Sequence, residues 1–170
     1  TPLGELQLIE SSLNPSELQN LINQAAEDTG TTHWIAVKNV HATCRCVSLP
    51  EGVRMLHPPS HLMDADAVQT FASQAEYTAD EATLALKLAW YEPSNREALP
   101  IHGDERSIWN GKLASNDQSD VFRQQFADLP SVILLSHWQL LVILADPEHP
   151  GHQALTSDAH VIIDDASMLE

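Results

Sequence analysis

Apolar positions first recur at helical spacing near the start of the chain, where Leu18, Leu21, Ile22, Ala25 and Ala26 form one stripe. The residues around that stripe suit a helix start. Asn14 can cap it, Pro15 falls at the first helical position, and Glu17 stands where a reciprocal capping contact is made. Leu13 and Leu18 sit at the two positions of a hydrophobic staple, and Gly30 can stop the helix. An amphipathic helix of this kind is expected to pack on a sheet.

The pattern then changes to short extended runs over 33–40, 43–49 and 53–56, the last ended by Pro58-Pro59. Asp64 can cap a second helix whose inner face carries Val68, Phe71, Ala72 and Ala75. Over 83–91 the chain alternates. Leu84, Leu86, Leu88 and Trp90 fall on one side and Ala85, Lys87, Ala89 and Tyr91 on the other, which predicts an antiparallel strand with one buried face.

Positions 93–116 are polar and irregular, punctuated by Pro93, Pro100, Gly103 and Gly111. A third helix is expected from Asp117, with Val121, Phe122, Gln125, Phe126 and Leu129 on a common face and Pro130 as its end. The apolar run 132–145 is broken by Ser136, His137 and Gln139, and predicts either one long central strand or a tight pair. Positions 146–151 have turn composition, and 159–164 form a last strand. This order predicts a single α+β domain over residues 1–170. Its sheet would be mixed or mainly antiparallel, of about five to seven strands, with about three helices packed on it.

Charge narrows the classes of partner. Twenty-four acidic residues stand against eight basic ones, a formal charge of −16. Such a surface is repelled by nucleic-acid phosphates and by anionic membrane leaflets, so neither is expected as a direct partner. The acidic residues are scattered, which disfavours mimicry of DNA, where a charge recurs every ~1.7 Å. Hydrophobic content of 43% suits a globular chain. The run 132–145 is too short and too polar to span a bilayer. The opening Thr1-Pro2-Leu3-Gly4-Glu5 has no signal-peptide pattern. Cys44 and Cys46 in an extended segment would stand about 6–7 Å apart, too far to pair, so a reducing, cytoplasmic setting is expected.

Nine histidines supply most of the candidate chemistry. His57 and His61 flank Pro58-Pro59-Ser60 near Asp64 and Asp66, but the prolines oppose the helix that would put both imidazoles on one face. His149 and His152 surround Pro150-Gly151 beside Asp146 and Glu148, where a turn could gather metal ligands. His41, Cys44 and Cys46 offer imidazole and thiol but lack the second pair of a zinc signature. No metal site and no cofactor is therefore assigned.

The apolar run Val161-Ile162-Ile163 ends on Asp164-Asp165. A loop that cradles a phosphate directly after such a string is made of small residues, and Ser167-Met168-Leu169-Glu170 is not one, so no site is assigned to it. No nucleophile elbow, glycine-rich phosphate loop, dinucleotide fingerprint or H-E-x-x-H is present, which leaves catalysis open.

Arg96, Arg106 and Lys112 lie in the irregular segment beside Trp109, and Arg and Trp dominate binding hot spots. The alternative is that Trp109 folds onto the core. The expected function is a non-catalytic interaction module (adaptor, chaperone or inhibitor) that presents its acidic surface to a basic protein partner, with these four residues as a candidate contact point and homodimerisation open. The competing expectation is a metal- or small-ligand-binding enzyme or sensor that uses His and Cys residues.

Overall fold

Five parallel strands form the sheet in the computed structural model, which describes residues 6–8, 13–157 and 159–165. They are β1 (Leu6–Leu8), β2 (Thr32–Val37), β3 (Val53–Met55), β4 (Val132–Ser136) and β5 (Ala159–Ile163). Their order is β1-β5-β2-β4-β3, and every pairing is parallel. This corrects the expected mixed or antiparallel α+β sheet with about three helices, because eight α-helices accompany these strands among the described residues. Residues 1–5 and 166–170, on which two of the sequence expectations fall, lie outside the described residues.

The chain divides into two compact units, Thr1–Leu56 with Phe126–Glu170, and His57–Gln125. The first carries the sheet. Its helix α1 (Pro15–Glu27) has the expected cap: Asn14 accepts from the Glu17 N–H and Glu17 accepts from the Asn14 N–H. Leu18, Ile22 and Ala25 of α1 cover Ile35, Val37, Val132, Leu134 and Ile162. The short α2 (Val40–Cys44) belongs to the same face.

The other face is covered by α7 (His137–Ala145) and α8 (His152–Ser157), whose Leu140, Ile143 and Leu155 meet Trp34, Ala36, Ile133 and Leu135. The crossovers β1–α1–β2 and β4–α7–α8–β5 run in opposite directions across the sheet. With the usual right-handed sense their helices must land on opposite faces, as they do. Burial on both faces is why β2 and β4 read as nearly unbroken apolar runs.

The run 132–145 is thus neither one strand nor a hairpin. Ser136 ends β4 and caps α7: its hydroxyl accepts from the Gln139 N–H, and Gln139 Oε1 accepts from the Ser136 N–H. A polar S-x-x-Q inside an apolar run is a helix start, and it splits the run into strand and helix. Similarly, 43–49 is not a strand, since Cys44 closes α2 and Cys46 follows in a turn.

Gly151, in the turn before α8, is packed tightly. A Cβ there would stand 2.9 Å from the Phe126 ring. Gly151→Ala is therefore expected to destabilise the sheet unit by about 1–3 kcal/mol through overpacking. A thermal midpoint lowered by several degrees checks this; an unchanged midpoint would mean that the ring moves aside freely.

The second unit is helical: α3 (Ala65–Ala72), α4 (Ala79–Tyr91), α5 (Asp104–Lys112) and α6 (Asp120–Gln124), with 3₁₀ turns at Pro59–His61 and Arg96–Ala98. Residues 83–91, expected as a strand, belong to α4. Thr78 and Glu81 form a capping box at its start, which alternation alone did not weigh. Leu84 is buried with Ala85 and Leu88 against it, while Leu86 and Trp90 stay in solvent, a helical rather than an alternating division. Asp64 caps α3 as expected. The core holds Phe71, Leu84, Leu99, Ile101, Trp109 and Leu113. No helix among the described residues is long and apolar enough to cross a membrane.

Candidate functional site

In a doubly wound parallel sheet, ligands sit outside the carboxyl ends of the strands, where neighbouring connections leave for opposite faces. Here that point lies between β2 and β4: α2 follows β2 on one face and α7 follows β4 on the other. Val37 pairs with Ser136 at the last rung, so Lys38-Asn39 and Ser136-His137 flank the opening. On the other side of β2, Ala36 pairs with Ile163, and Asp164-Asp165 continue from there. Three strand ends at a spacing of about 4.8 Å thus present a lysine, a helix start and two carboxyl groups along one edge.

The local bonding orders this edge. The Asp164 N–H donates to the Ala36 carbonyl at 2.9 Å and extends the β5–β2 ladder one step. His137, buried at the first position of α7, donates from Nε2 to the Asp164 carbonyl at 2.7 Å. Since a carbonyl only accepts, Nε2 carries the proton. Oδ1 of the buried Asp164 accepts the Leu13 N–H at 2.9 Å and holds the approach to α1. Asp165 follows in a left-handed conformation, φ 55°. Asn39 is committed to capping α2 through the Ala42 N–H. Lys38 is exposed.

At the amino-terminal edge a pocket of about 230 Å³ is lined by Leu21, Gln24, Asp28, His33 and His160 among others. His33 Nε2 lies 3.6 Å from Asp28 Oδ2, and its ring stands edge-on to His160 at 5.2 Å between centroids.

The remaining candidates from sequence take local roles. His149 Nδ1 accepts the Gly151 N–H at 3.0 Å, and its ring packs edge-on against Phe126. His152 Nδ1 donates to the Ile143 carbonyl at 2.8 Å, so these two imidazoles brace the turn before α8. Cys44 packs against the α1 core, and burial pushes its thiol up to about 11, away from the thiolate a metal needs. Cys46 is exposed, and both are free thiols.

In the helical unit, Arg96 Nη2 lies 2.7 Å from His61 Nε2 and 3.5 Å from Glu97. Trp109 is fully buried, and its Nε1 donates to the Ser60 carbonyl at 2.8 Å. Lys112 is paired with Glu81 and bonds Gln74 Oε1 at 3.0 Å. Arg106 is exposed on α5. The four residues therefore do not share one irregular segment: Arg106, Trp109 and Lys112 ride on α5, and Arg96 lies in a separate 3₁₀ turn. Asp64, Asp66 and Asp120 line a cavity of about 560 Å³. Asp64 there is held below the usual carboxylate range by the Ala67 N–H and the Ser119 hydroxyl, as expected of a helix cap.

The Asp164-Asp165 string is visible in the sequence, but its place on one edge with the ends of β2 and β4 is set by strand order, which no local pattern carries. Compared with protein families, with characterised proteins and with solved structures, the chain matches none.

Proposed function

We propose that the sheet unit binds a nucleoside phosphate as its magnesium complex at the carboxyl edge of the sheet. The observation that supports this most is the topological switch between β2 and β4, with Asp164-Asp165 ending the adjacent strand. Nucleotide-binding proteins use an aspartate at the end of an apolar strand to hold Mg²⁺ against the phosphates. That comparison is one of architecture. The charge is consistent with it: on a chain at −16, a phosphate ligand is favoured when a cation comes with it. Mg²⁺ would bridge phosphate oxygens and carboxylate, while Lys38 and the N-terminus of α7 favour the anionic side. The chain's sequence holds no glycine-rich phosphate loop, so its clearest contribution is the cation side of such a site. Free Cys44 and Cys46 suit a reducing, cytoplasmic setting.

The test is thermal denaturation with and without Mg·ATP. At a concentration about a hundredfold above Kd, binding is worth about 2.7 kcal/mol, and each kcal/mol moves the midpoint of a chain this size by about 2–4 °C. Asp165→Asn is the informative variant, because asparagine tolerates the left-handed backbone that Asp165 adopts. The expected result is a stabilisation that vanishes with EDTA and in Asp165→Asn. No shift at saturating Mg·ATP overturns the proposal, and a shift of equal size in EDTA overturns the role given to the carboxylates.

A further inference from the structure

Helix α4 turns one face to the core of the helical unit and leaves an apolar stripe outside. Trp90 is 84% exposed, Leu86 73% and Tyr91 52%. With Thr83 and the stem of Lys87 they form a shallow groove along the helix. Thr83, Leu86 and Trp90 follow i, i+3, i+7 spacing, about 10 Å of helix, or two turns. Solvent exposure of Leu, Trp and Tyr side by side marks a surface meant to be covered, since single exposed apolar residues are common but contiguous ones are not.

The charges around the stripe say what covers it. Residues 57–125 contain five Lys or Arg and eleven Asp or Glu, so the unit carries 5 − 11 = −6. The one lysine in the groove is already neutralised: Lys87 Nζ bonds both carboxylate oxygens of Glu105 at 2.7 Å and the Pro100 carbonyl at 2.8 Å. Two exposed carboxylates bracket the stripe along the helix, Asp80 in the first turn and Glu92 at the C-cap. Glu92 is set there by a left-handed backbone, φ 42°, with its N–H bonded to the Leu88 carbonyl. An apolar centre with a Trp and negative ends is complementary to an amphipathic segment with apolar residues on one face and Lys or Arg beside them.

We propose that α4 is a docking surface for a basic amphipathic helix of a protein partner. The partner's apolar residues pack along Leu86 and Trp90. An Arg or Lys lies over the open Trp90 ring, and others reach Asp80 and Glu92. This surface belongs to the helical unit, so it stands or falls independently of the nucleotide site proposed for the sheet unit.

A synthetic Leu/Lys amphipathic helical peptide serves as the probe, titrated against the full chain and read by tryptophan fluorescence. Trp138→Phe is used as the background to remove the other exposed indole. Saturable binding that weakens with salt is expected, with a blue shift as Trp90 leaves water. Leu86→Ala and Trp90→Ala should each weaken it roughly thirtyfold, as truncation of a hot spot does. Trp90→Ala is silent in fluorescence, so its affinity is taken from calorimetry. Asp80→Asn with Glu92→Gln should weaken binding several-fold and flatten the salt dependence. Both sites are exposed, so folding is not at stake, and unchanged circular dichroism confirms it. Equal affinity for a Leu/Glu peptide, or full affinity in Leu86→Ala and Trp90→Ala, overturns the proposal. A dimer in sedimentation that dissociates on Trp90→Ala would make the occupant a second copy of this chain and likewise overturn it.

Discussion

Trp109→Ala is expected to cost about 3–5 kcal/mol, because it removes the biggest side chain from the small core of the helical unit. Trp109 is wholly buried among Phe71, Leu84, Leu99, Ile101 and Leu113, and is the largest side chain of that cluster. Its indole N–H also satisfies the Ser60 carbonyl, an acceptor that the deletion leaves without that donor. Trp109→Phe separates the two contributions, restoring most of the volume but not the bond, and should recover more than half of the loss. Urea unfolding followed by circular dichroism measures both variants. A change below about 1 kcal/mol for Trp109→Ala would show that the cluster is not the core of its unit.

The second large effect is on acid stability. The Lys112 ammonium beside Glu81, with the Thr78 N–H, holds the Glu81 carboxyl well down, from 4.5 to about 2. The Lys87 ammonium holds Glu105 below its ordinary value in the same way. Both folded values lie below the unfolded ones, so the stabilisation is complete above about pH 4.5. The Glu81 share is lost as pH falls from there toward about 2, and the Glu105 share as pH falls below its ordinary value. The helical unit should therefore lose stability steeply across that interval. Glu81→Gln keeps the capping box, since glutamine serves at that position, and removes only the titrating charge. It should be less stable than the parent at pH 7 and lose less on acidification, with Glu105→Gln behaving alike. Parallel pH–stability curves for parent and Glu81→Gln would show that the pair contributes nothing. Half of the Lys112 side chain is in water, so its share should shrink in high salt.

These two effects sit on residues that the sequence presented very differently. Trp109 and Lys112 stood out as an aromatic and a cation within an irregular stretch, and composition favoured neither a surface nor a core reading. The structure turns that stretch into α5 and sends one side chain inward and the other to Glu81. The alternating run 83–91 was a real pattern with two solutions, since leucines two apart can line a strand or wrap around a helix. Helical geometry with capping at Thr78 and Glu81 decides it, and leaves Leu86 and Trp90 on the outside. The docking surface proposed for α4 could not be seen from sequence for that reason.

The sequence by itself determined what depends on neighbours along the chain. Asn14, Pro15 and Glu17 started α1, Asp64 started α3, and the apolar runs of β2, β4 and β5 were recognised as extended, because caps and propensities act within one turn or one strand. What only the tertiary structure decided depends on partners distant in sequence. Strand direction is such a property: β2 pairs with β4 and β5 about a hundred residues or more away, and an apolar run burying both faces reads the same whichever way its neighbour points. Parallel pairing then brings Lys38, Ser136 and Asp164-Asp165 to one edge. No local rule could have placed them there, since their proximity is set by the order of strands across the sheet.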